Sequence, residues 1–268
     1  MAFIDVDGRV LWAERHGSGP AVLFLHGAGS NAATWWQQLP AFSERHTCIT
    51  MDQRCFGRSA APMAEFRIER FVADALAVLD HFGVEKAVVV GQSLGGMVGL
   101  RIALHHAARV AAFVACDSPL GVDHPAIAEA LERRARNATA LTLEQRSMGA
   151  WFVRRSPERA ALYAQINAFN PGTHSVPPAE WRAAMDRLTA PGNLLPMSAL
   201  ARLAVPVLWL VGREDPLVPV QSMQDAAARA PGSELAVVDA CGHSTYFEKP
   251  AVFNHLVLDF IARRTGTA

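Results

Sequence analysis

Gly91-Gln92-Ser93-Leu94-Gly95 sets a serine between two glycines. It follows the apolar run Ala87-Val88-Val89-Val90 and precedes Gly96-Met97-Val98-Gly99-Leu100-Arg101-Ile102-Ala103-Leu104. The first run reads as a short buried strand, and the second as a helix with small residues at its start. A chain that passes from strand to helix within five residues bends sharply, so its middle residue takes a strained backbone conformation. The flanking glycines remove the side chains that would clash in such a turn. The bend lifts Ser93 Oγ clear of the sheet and leaves the Leu94 N–H near a helix N-terminus, where it can stabilise an oxyanion.

A serine hydroxyl is a weak nucleophile at neutral pH and needs a base to take its proton. An imidazole suits the task, with a carboxylate to hold its tautomer and stabilise the imidazolium. Open α/β sheets carry such groups on loops at the C-terminal ends of their parallel strands. The run Val207–Val211 ends in Gly212-Arg213-Glu214-Asp215-Pro216, which puts Asp215 four residues past a strand. Leu235–Val238 leads into Asp239-Ala240-Cys241-Gly242-His243-Ser244, which puts His243 on the next such loop. Asp117 also lies just past a strand and competes for the role of carboxylate. The chain order serine, acid, histidine favours Asp215.

The elements that must hold these residues follow from the hydrophobic pattern. Phe3–Val6 and Val10–Ala13 flank Asp7-Gly8-Arg9 and read as an antiparallel hairpin. Further strands are expected at Ala21–Leu25, Thr47–Met51, Ala87–Val90 and Val110–Cys116. A short helix carrying Trp35, Trp36 and Leu39 is expected to stop near Pro40. Ile68, Phe71, Val72, Ala75, Leu76, Leu79 and Phe82 fall at helical spacing, with Gly83 as C-terminal cap. Strands and helices alternate up to Asp117, which argues for a mostly parallel sheet with helices on both faces. From 118 to 198 the alternation fails: no strand is expected, Asn170-Pro171-Gly172 and Val176-Pro177-Pro178 break the chain, and Ile127–Arg136 and Leu143–Val153 read as helices. This stretch is expected to be a helical cap inserted after the sixth strand, with residues 1–117 and 199–268 forming the α/β core. The alternation resumes with strand Val207–Val211, helix Val220–Arg229, strand Leu235–Val238 and a closing helix Phe247–Arg263.

Composition bounds the partners. The 268 residues are 51% hydrophobic, and 25 Lys+Arg balance 25 Asp+Glu. No basic field points to nucleic acid, and no apolar stretch reaches the ~18–20 residues needed to span a membrane. A small-molecule substrate is the expected partner; the oligomeric state is not readable. Cys48, Cys55, Cys116 and Cys241 are scattered, lie in no C-x-x-C, and fit free thiols in a reducing, cytoplasmic setting. The ten histidines include no H-E-x-x-H, Gly27-Ala28-Gly29 lacks the third glycine of a dinucleotide fingerprint, and no G-K-[S/T] is present. No metal and no cofactor are therefore expected, and His124 and His174 read as exposed residues beside turns.

Together, Gly91-Gln92-Ser93-Leu94-Gly95-Gly96, His26-Gly27, the Asp52-x-Arg54 loop, Gly212-Arg213-Glu214-Asp215 and Gly242-His243 resemble the α/β-hydrolase superfamily over nearly the whole chain. The resemblance implies a Ser93–His243–Asp215 triad, and an oxyanion hole built from the N–H of Leu94 and that of Ala28, or of its neighbour Gly29. Family members usually carry glycine where this chain has Cys55, a difference expected to alter the loop near the pocket mouth. Among Met148, Trp151, Phe152, Tyr163, Phe169 and Trp181, most are expected to pack between helices. Trp151, Phe152 and Trp181, with His26, are the expected pocket residues, His26 shaping the oxyanion loop through hydrogen bonds. A serine at this turn argues against the dehalogenase and epoxide-hydrolase branches, which use aspartate there. The chain resembles enol-lactone hydrolases and small carboxylesterases, which implies acyl-enzyme hydrolysis of a small, fairly apolar ester or lactone. Hydrolases that cleave carbon–carbon bonds of ring-fission diketones come second, since His26-Gly27-Ala28-Gly29-Ser30-Asn31 matches their glycine-rich stretch only in part. A hydrolase-like receptor for a small ligand, with little turnover, is a third reading.

Overall fold

The computed structural model describes residues 1–136, 142–170 and 176–266. The strands are β1 (Ala2–Val6), β2 (Arg9–His16), β3 (Ala21–Leu25), β4 (Thr47–Met51), β5 (Ala87–Gln92), β6 (Val110–Cys116), β7 (Val122–Asp123), β8 (Leu195–Pro196), β9 (Val207–Gly212) and β10 (Glu234–Val238). Eight of them form one sheet in the order β1-β2-β4-β3-β5-β6-β9-β10. The β1–β2 and β2–β4 pairs are antiparallel, and every pair from β4 to β10 is parallel. The helices are α1 (Leu39–Phe42), α2 (Ile68–His81), α3 (Leu94–His105), α4 (Pro125–Arg136), α5 (Leu143–Ser147), α6 (Ala150–Arg155), α7 (Pro157–Ala168), α8 (Pro178–Leu188), α9 (Val220–Arg229), α10 (Thr245–Glu248) and α11 (Pro250–Thr265).

Period-two alternation in the central strands builds two cores, one on each face of the sheet. Leu23, Leu25, Val89, Phe113, Trp209 and Val211 pack with Phe71 and Val78 of α2, Leu100 of α3 and Met223 of α9. Val22, Phe24, Val88, Val90, Val114 and Leu208 pack with Trp35, Phe42 and, from α11, Phe253, Val257 and Phe260. The expected α/β architecture, a mostly parallel sheet with helices on both faces, is therefore present. Local signals agree with it. Asp7 (φ 52°) and Gly8 (φ 74°) form the two-residue loop between β1 and β2, as an Asp-Gly pair favours. Gly83 (φ 66°) ends α2, with the Val84 N–H donating to Leu79 O and its own N–H to Asp80 O, the Schellman arrangement.

Four expectations need correction. Leu143–Val153 is not one helix: α5 and α6 are separated at Met148-Gly149 because Ser147 O accepts from the His243 N–H and the Gly149 N–H donates to Glu248 Oε2. A continuing helix would have claimed both groups. The closing helix divides at Lys249, since Pro250 starts α11 and cannot continue the hydrogen-bond ladder of α10. Pro40 lies in the first turn of α1 rather than stopping a helix, and Ala32–Trp35 is a separate 3₁₀ turn. Within 118–198, β7 and β8 pair in parallel through Val122↔Leu195 and Asp123↔Pro196, too short to leave a period in the sequence. Pro178 opens α8, while the Pro171-Gly172 break and His174 lie outside the described residues. Among the described residues no helix is long and apolar enough to cross a membrane.

Strand order decides where a site can form. β4 lies on one side of β3 and β5 on the other, so the loops leaving β3 and β5 part in opposite directions. The crevice between them is a topological switch point, the place where open α/β sheets bind ligands.

Candidate active site

Ser93 has φ 50° and ψ −110°, a backbone conformation that costs on the order of 1–3 kcal/mol and needs support around it. Its N–H donates to Cys116 O (3.0 Å), and its carbonyl accepts from Ser118 Oγ (2.7 Å) and from the Gly96 N–H (3.0 Å). The flanking glycines are required for space: a Cβ on Gly95 would overlap the Leu25 carbonyl, and one on Gly91 would overlap that of Gly95. Backbone anchors thus hold the turn, and the hydroxyl is left to face outward.

Ser93 Oγ lies 3.0 Å from His243 Nε2, and His243 Nδ1 lies 2.8 Å from Asp215 Oδ2. The other Asp215 oxygen accepts from the N–H groups of Leu217 (2.8 Å) and Val218 (2.9 Å). With its carboxylate so committed, Asp215 takes the Nδ1–H of His243, and Nε2 is left as an acceptor toward the serine. Asp117 does not touch His243. It is fully buried, with φ 47°, and accepts from Gly212 N (2.9 Å), Thr245 N (2.8 Å), Thr245 Oγ1 (2.8 Å) and Cys116 Sγ (3.1 Å). Burial, with Asp215 close by, pushes its carboxyl up to about 6. Asp117 therefore ties the ends of β6 and β9 to α10.

The loop after β3 lies against the serine. A Cβ on Gly27 would run into the Gln92 side chain and Ser93 Cβ, so the loop that carries Ala28 passes close beside the Ser93 turn. Ala28, Gly29, Leu94, Ser93 and His243 line one cavity. His26 lies behind that loop: Nδ1 donates to Gly27 O (2.7 Å), and Nε2 accepts from the Gln53 N–H (2.9 Å). This pattern needs a neutral ring, and burial lowers its pKa accordingly. Asp52 completes the support, accepting from the Ala32 N–H (2.7 Å) and from Arg58 Nε (2.7 Å).

The cavity measures about 150 Å³ and is lined mainly by Leu94, Met97, Leu131, Leu143, Met185, Leu188 and Leu217 around Ser93. The expected pocket residues need revision. His26 is fully buried behind the loop that follows β3, and Phe152 is packed into the second core. Trp151 is exposed, with Lys249 Nζ 4.1 Å from its ring centroid. Trp181 lines an outer cavity of about 590 Å³ that shares Ala28, Gly29, Leu131, Arg134 and Met185 with the inner one. Helical periodicity cannot tell which face of a helix turns toward a site when several short helices pack together. Cys55 has φ 71°, which explains why glycine suits the position; its side chain is buried in the first core and lines neither of these cavities.

Residues without a motif hold the site together. Gln92 Nε2 donates to His243 O (2.9 Å), joining the serine turn to the histidine loop. Asn31 Nδ2 donates to Ile166 O (2.8 Å), and Asn170 Nδ2 to Gly29 O (2.9 Å), which pins the end of α7 to the loop that follows β3. Glu248 is buried and accepts from the N–H groups of Gly242, Ser244 and Gly149. No cation contacts it among the described residues, and burial pushes its carboxyl up to about 7. Its folded value lies above the ordinary one, so the folded chain holds more protons than the unfolded chain between about pH 4.5 and 7. Ionisation of Glu248 therefore weakens the fold as pH rises through that window, fully so above it. Glu248→Gln lacks this proton, so the stability of wild type relative to the variant, from denaturant melts, should be greater at pH 5 than at pH 8. An equal difference at both pH values would contradict a cation-free buried carboxylate behind His243.

Comparison with known proteins follows the same lines. The family model of the alpha/beta hydrolase fold matches residues 20–250. The chain is 27% identical over 242 residues to 3-oxoadipate enol-lactonase 2 of Acinetobacter baylyi, covering 89% of this chain and 87% of that one. It is 30% identical to the 2-hydroxymuconate semialdehyde hydrolase of Pseudomonas sp. strain CF600, covering 94% and 90%. Among solved structures, Est816, described as an N-acyl homoserine lactone degrading enzyme, superposes with a TM-score of 0.81 at 28% identity, covering 97% of this chain and 100% of that one.

Proposed function

The chain belongs to the alpha/beta hydrolase fold family, and we propose that it is a serine hydrolase of a small ester or lactone acting through an acyl-enzyme. The observation that carries this reading is the hydrogen-bonded series Ser93 Oγ, His243 Nε2/Nδ1, Asp215 Oδ2 at the wall of a small, mostly apolar cavity.

Ser93 Oγ attacks the substrate carbonyl as His243 Nε2 takes its proton. Asp215 holds the imidazole in the required tautomer and stabilises the imidazolium. The carbonyl oxygen becomes an oxyanion between the N–H groups of Leu94, at the start of α3, and Ala28; the neighbouring Gly29 is the alternative donor. Such donors are commonly worth on the order of 10²–10³ in rate apiece. Collapse breaks the carbonyl–oxygen bond, and His243 returns its proton to the leaving oxygen. In a lactone that alcohol stays attached to the acyl group. Water then attacks the acyl-enzyme with His243 as base, releasing the acid and restoring the Ser93 hydroxyl. Residues 118–198 act as a cap: α4, α5, α7 and α8 supply Leu131, Leu143, Tyr163 and Met185 to the cavity and shield the reaction from bulk water.

An inner cavity of about 150 Å³, the size that takes a single benzene ring, supports a small acyl group. A lactonase among the curated relatives and a lactone-degrading enzyme among the similar structures support ester or lactone chemistry. The 2-hydroxymuconate semialdehyde hydrolase supports carbon–carbon hydrolysis as the second reading. A panel of short p-nitrophenyl esters, γ- and δ-lactones and ring-fission diketones separates the two. Turnover of esters or lactones is expected; consumption of the diketones alone would overturn the first reading.

A further inference from the structure

The inner cavity holds a charge that the hydrolytic steps do not use. Arg134, on the inner face of α4, lines both the cavity around Ser93 and the outer one that opens from it. Among the described residues its guanidinium makes one hydrogen bond, from Nη1 to Arg146 O (3.0 Å). Among the described residues no Asp, Glu or Lys lines the inner cavity and no carboxylate pairs with Arg134. Burial and the nearby Arg146 lower its pKa. The contrast with Arg101 is instructive, since that buried guanidinium gives its N–H groups to Met97, Leu120, Gly121 and Asn193 carbonyls. It is satisfied by the fold itself. Arg134 commits one of its five donors to the described protein and lines both cavities.

Arg134 is half-buried, and a guanidinium drawn partly out of water without a counter-ion is a place where a ligand can supply the missing charge. Its planar fork matches a carboxylate bidentately. The approach carries the same sign: Arg146 and Arg182 line the outer cavity against one acid, Asp186. Positively charged walls with low-dielectric backing draw an anion inward.

Resting on the serine hydrolase proposed above, we infer that the substrate is a small ester or lactone bearing a carboxylate, which Arg134 binds while Ser93 attacks the carbonyl. Arg134 is then the residue that sets specificity. The apolar wall accommodates the carbon skeleton between the two polar ends.

The test uses mono-4-nitrophenyl adipate and its methyl ester, equal in chain length and differing in charge, with a chain too long for ready attack by its own carboxylate. The measured quantity is the ratio of kcat/KM for the acid to that for the methyl ester, which does not depend on how much protein is active. The wild type should favour the acid by on the order of 30-fold, the range of a hydrogen bond between charged groups. In Arg134→Gln the ratio should fall toward one, and in Arg134→Lys it should be partly kept. Arg133→Gln, on the outer side of the same helix beside Glu129, should keep the wild-type ratio. A ratio near one in the wild type, or an unaltered preference in Arg134→Gln, would overturn the inference while leaving the hydrolase standing. If neither ester is turned over, the panel of short esters and lactones decides the hydrolase reading, and calorimetry with monomethyl adipate decides the arginine. Binding to Ser93→Ala that is lost in Ser93→Ala/Arg134→Gln supports the inference; equal or absent binding in both overturns it.

Discussion

Ser93→Ala is expected to lower kcat by on the order of 10⁶, the loss seen when a triad nucleophile is removed from a serine hydrolase. The protein should remain folded. Four hydrogen bonds hold the turn, to Cys116 O and from Ser118 Oγ and the Gly96 and Met97 N–H groups, and none involves the Ser93 hydroxyl. Alanine at φ 50° carries the same backbone strain as serine, so melting temperature should change little. Residual activity reflects the oxyanion donors and binding alone. Kinetics on a p-nitrophenyl ester, with a thermal melt beside it, check both halves. A loss below about 10² with the fold intact would mean that another group attacks the carbonyl.

Asp215→Asn should lower kcat by about 10⁴, whereas Asp117→Asn should act chiefly on stability. The reason lies in where each carboxylate's bonds go. At 215, the oxygen facing Leu217 and Val218 must stay an acceptor, so an asparagine turns its NH₂ toward His243 Nδ1. Nδ1 is then forced to accept, the ring proton moves to Nε2, and Nε2 presents an N–H to the serine instead of a lone pair. At 117 neither oxygen faces His243. The new NH₂ there meets the Thr245 or Gly212 N–H, a buried mismatch worth about 1–3 kcal/mol. Paired measurements of kcat and denaturant midpoint distinguish the two. A larger kcat loss at 117 than at 215 would transfer the acid's role to Asp117.

Ser93, Asp215 and His243 could be located in the sequence because each follows an apolar strand that announces itself. Asp215 and Asp117 both stand just past such a strand, and only chain order separated them. The parallel sheet was legible for the same reason, its central strands being buried on both faces and therefore continuously apolar. The pocket was not. Gln92, Asn31, Ser147 and Glu248 act through contacts with residues far away in the chain, 151 positions for Gln92 and 135 for Asn31, or with backbone groups, and neither leaves a local pattern. His26 looked like a pocket residue because it sits in the oxyanion motif, yet its ring is spent on Gly27 O and the Gln53 N–H. Trp151 and Phe152 lie on a helix whose inner face is set by the break at Gly149. That break exists because the histidine loop needs the same backbone groups. Arg134 could not be singled out among the arginines of α4 before the fold showed which of them turns inward.

The central claim is that Ser93 is an activated nucleophile, and covalent labelling tests it most directly. The folded protein is treated at neutral pH with a fluorophosphonate, which is attacked by an activated serine and mimics the tetrahedral intermediate. Intact mass and peptide mapping then locate the adduct. The account predicts one adduct per chain, on the peptide containing Ser93, absent from Ser93→Ala and much slower to form in Asp215→Asn. A folded protein that gains no adduct, or gains it on a different residue, would contradict the account.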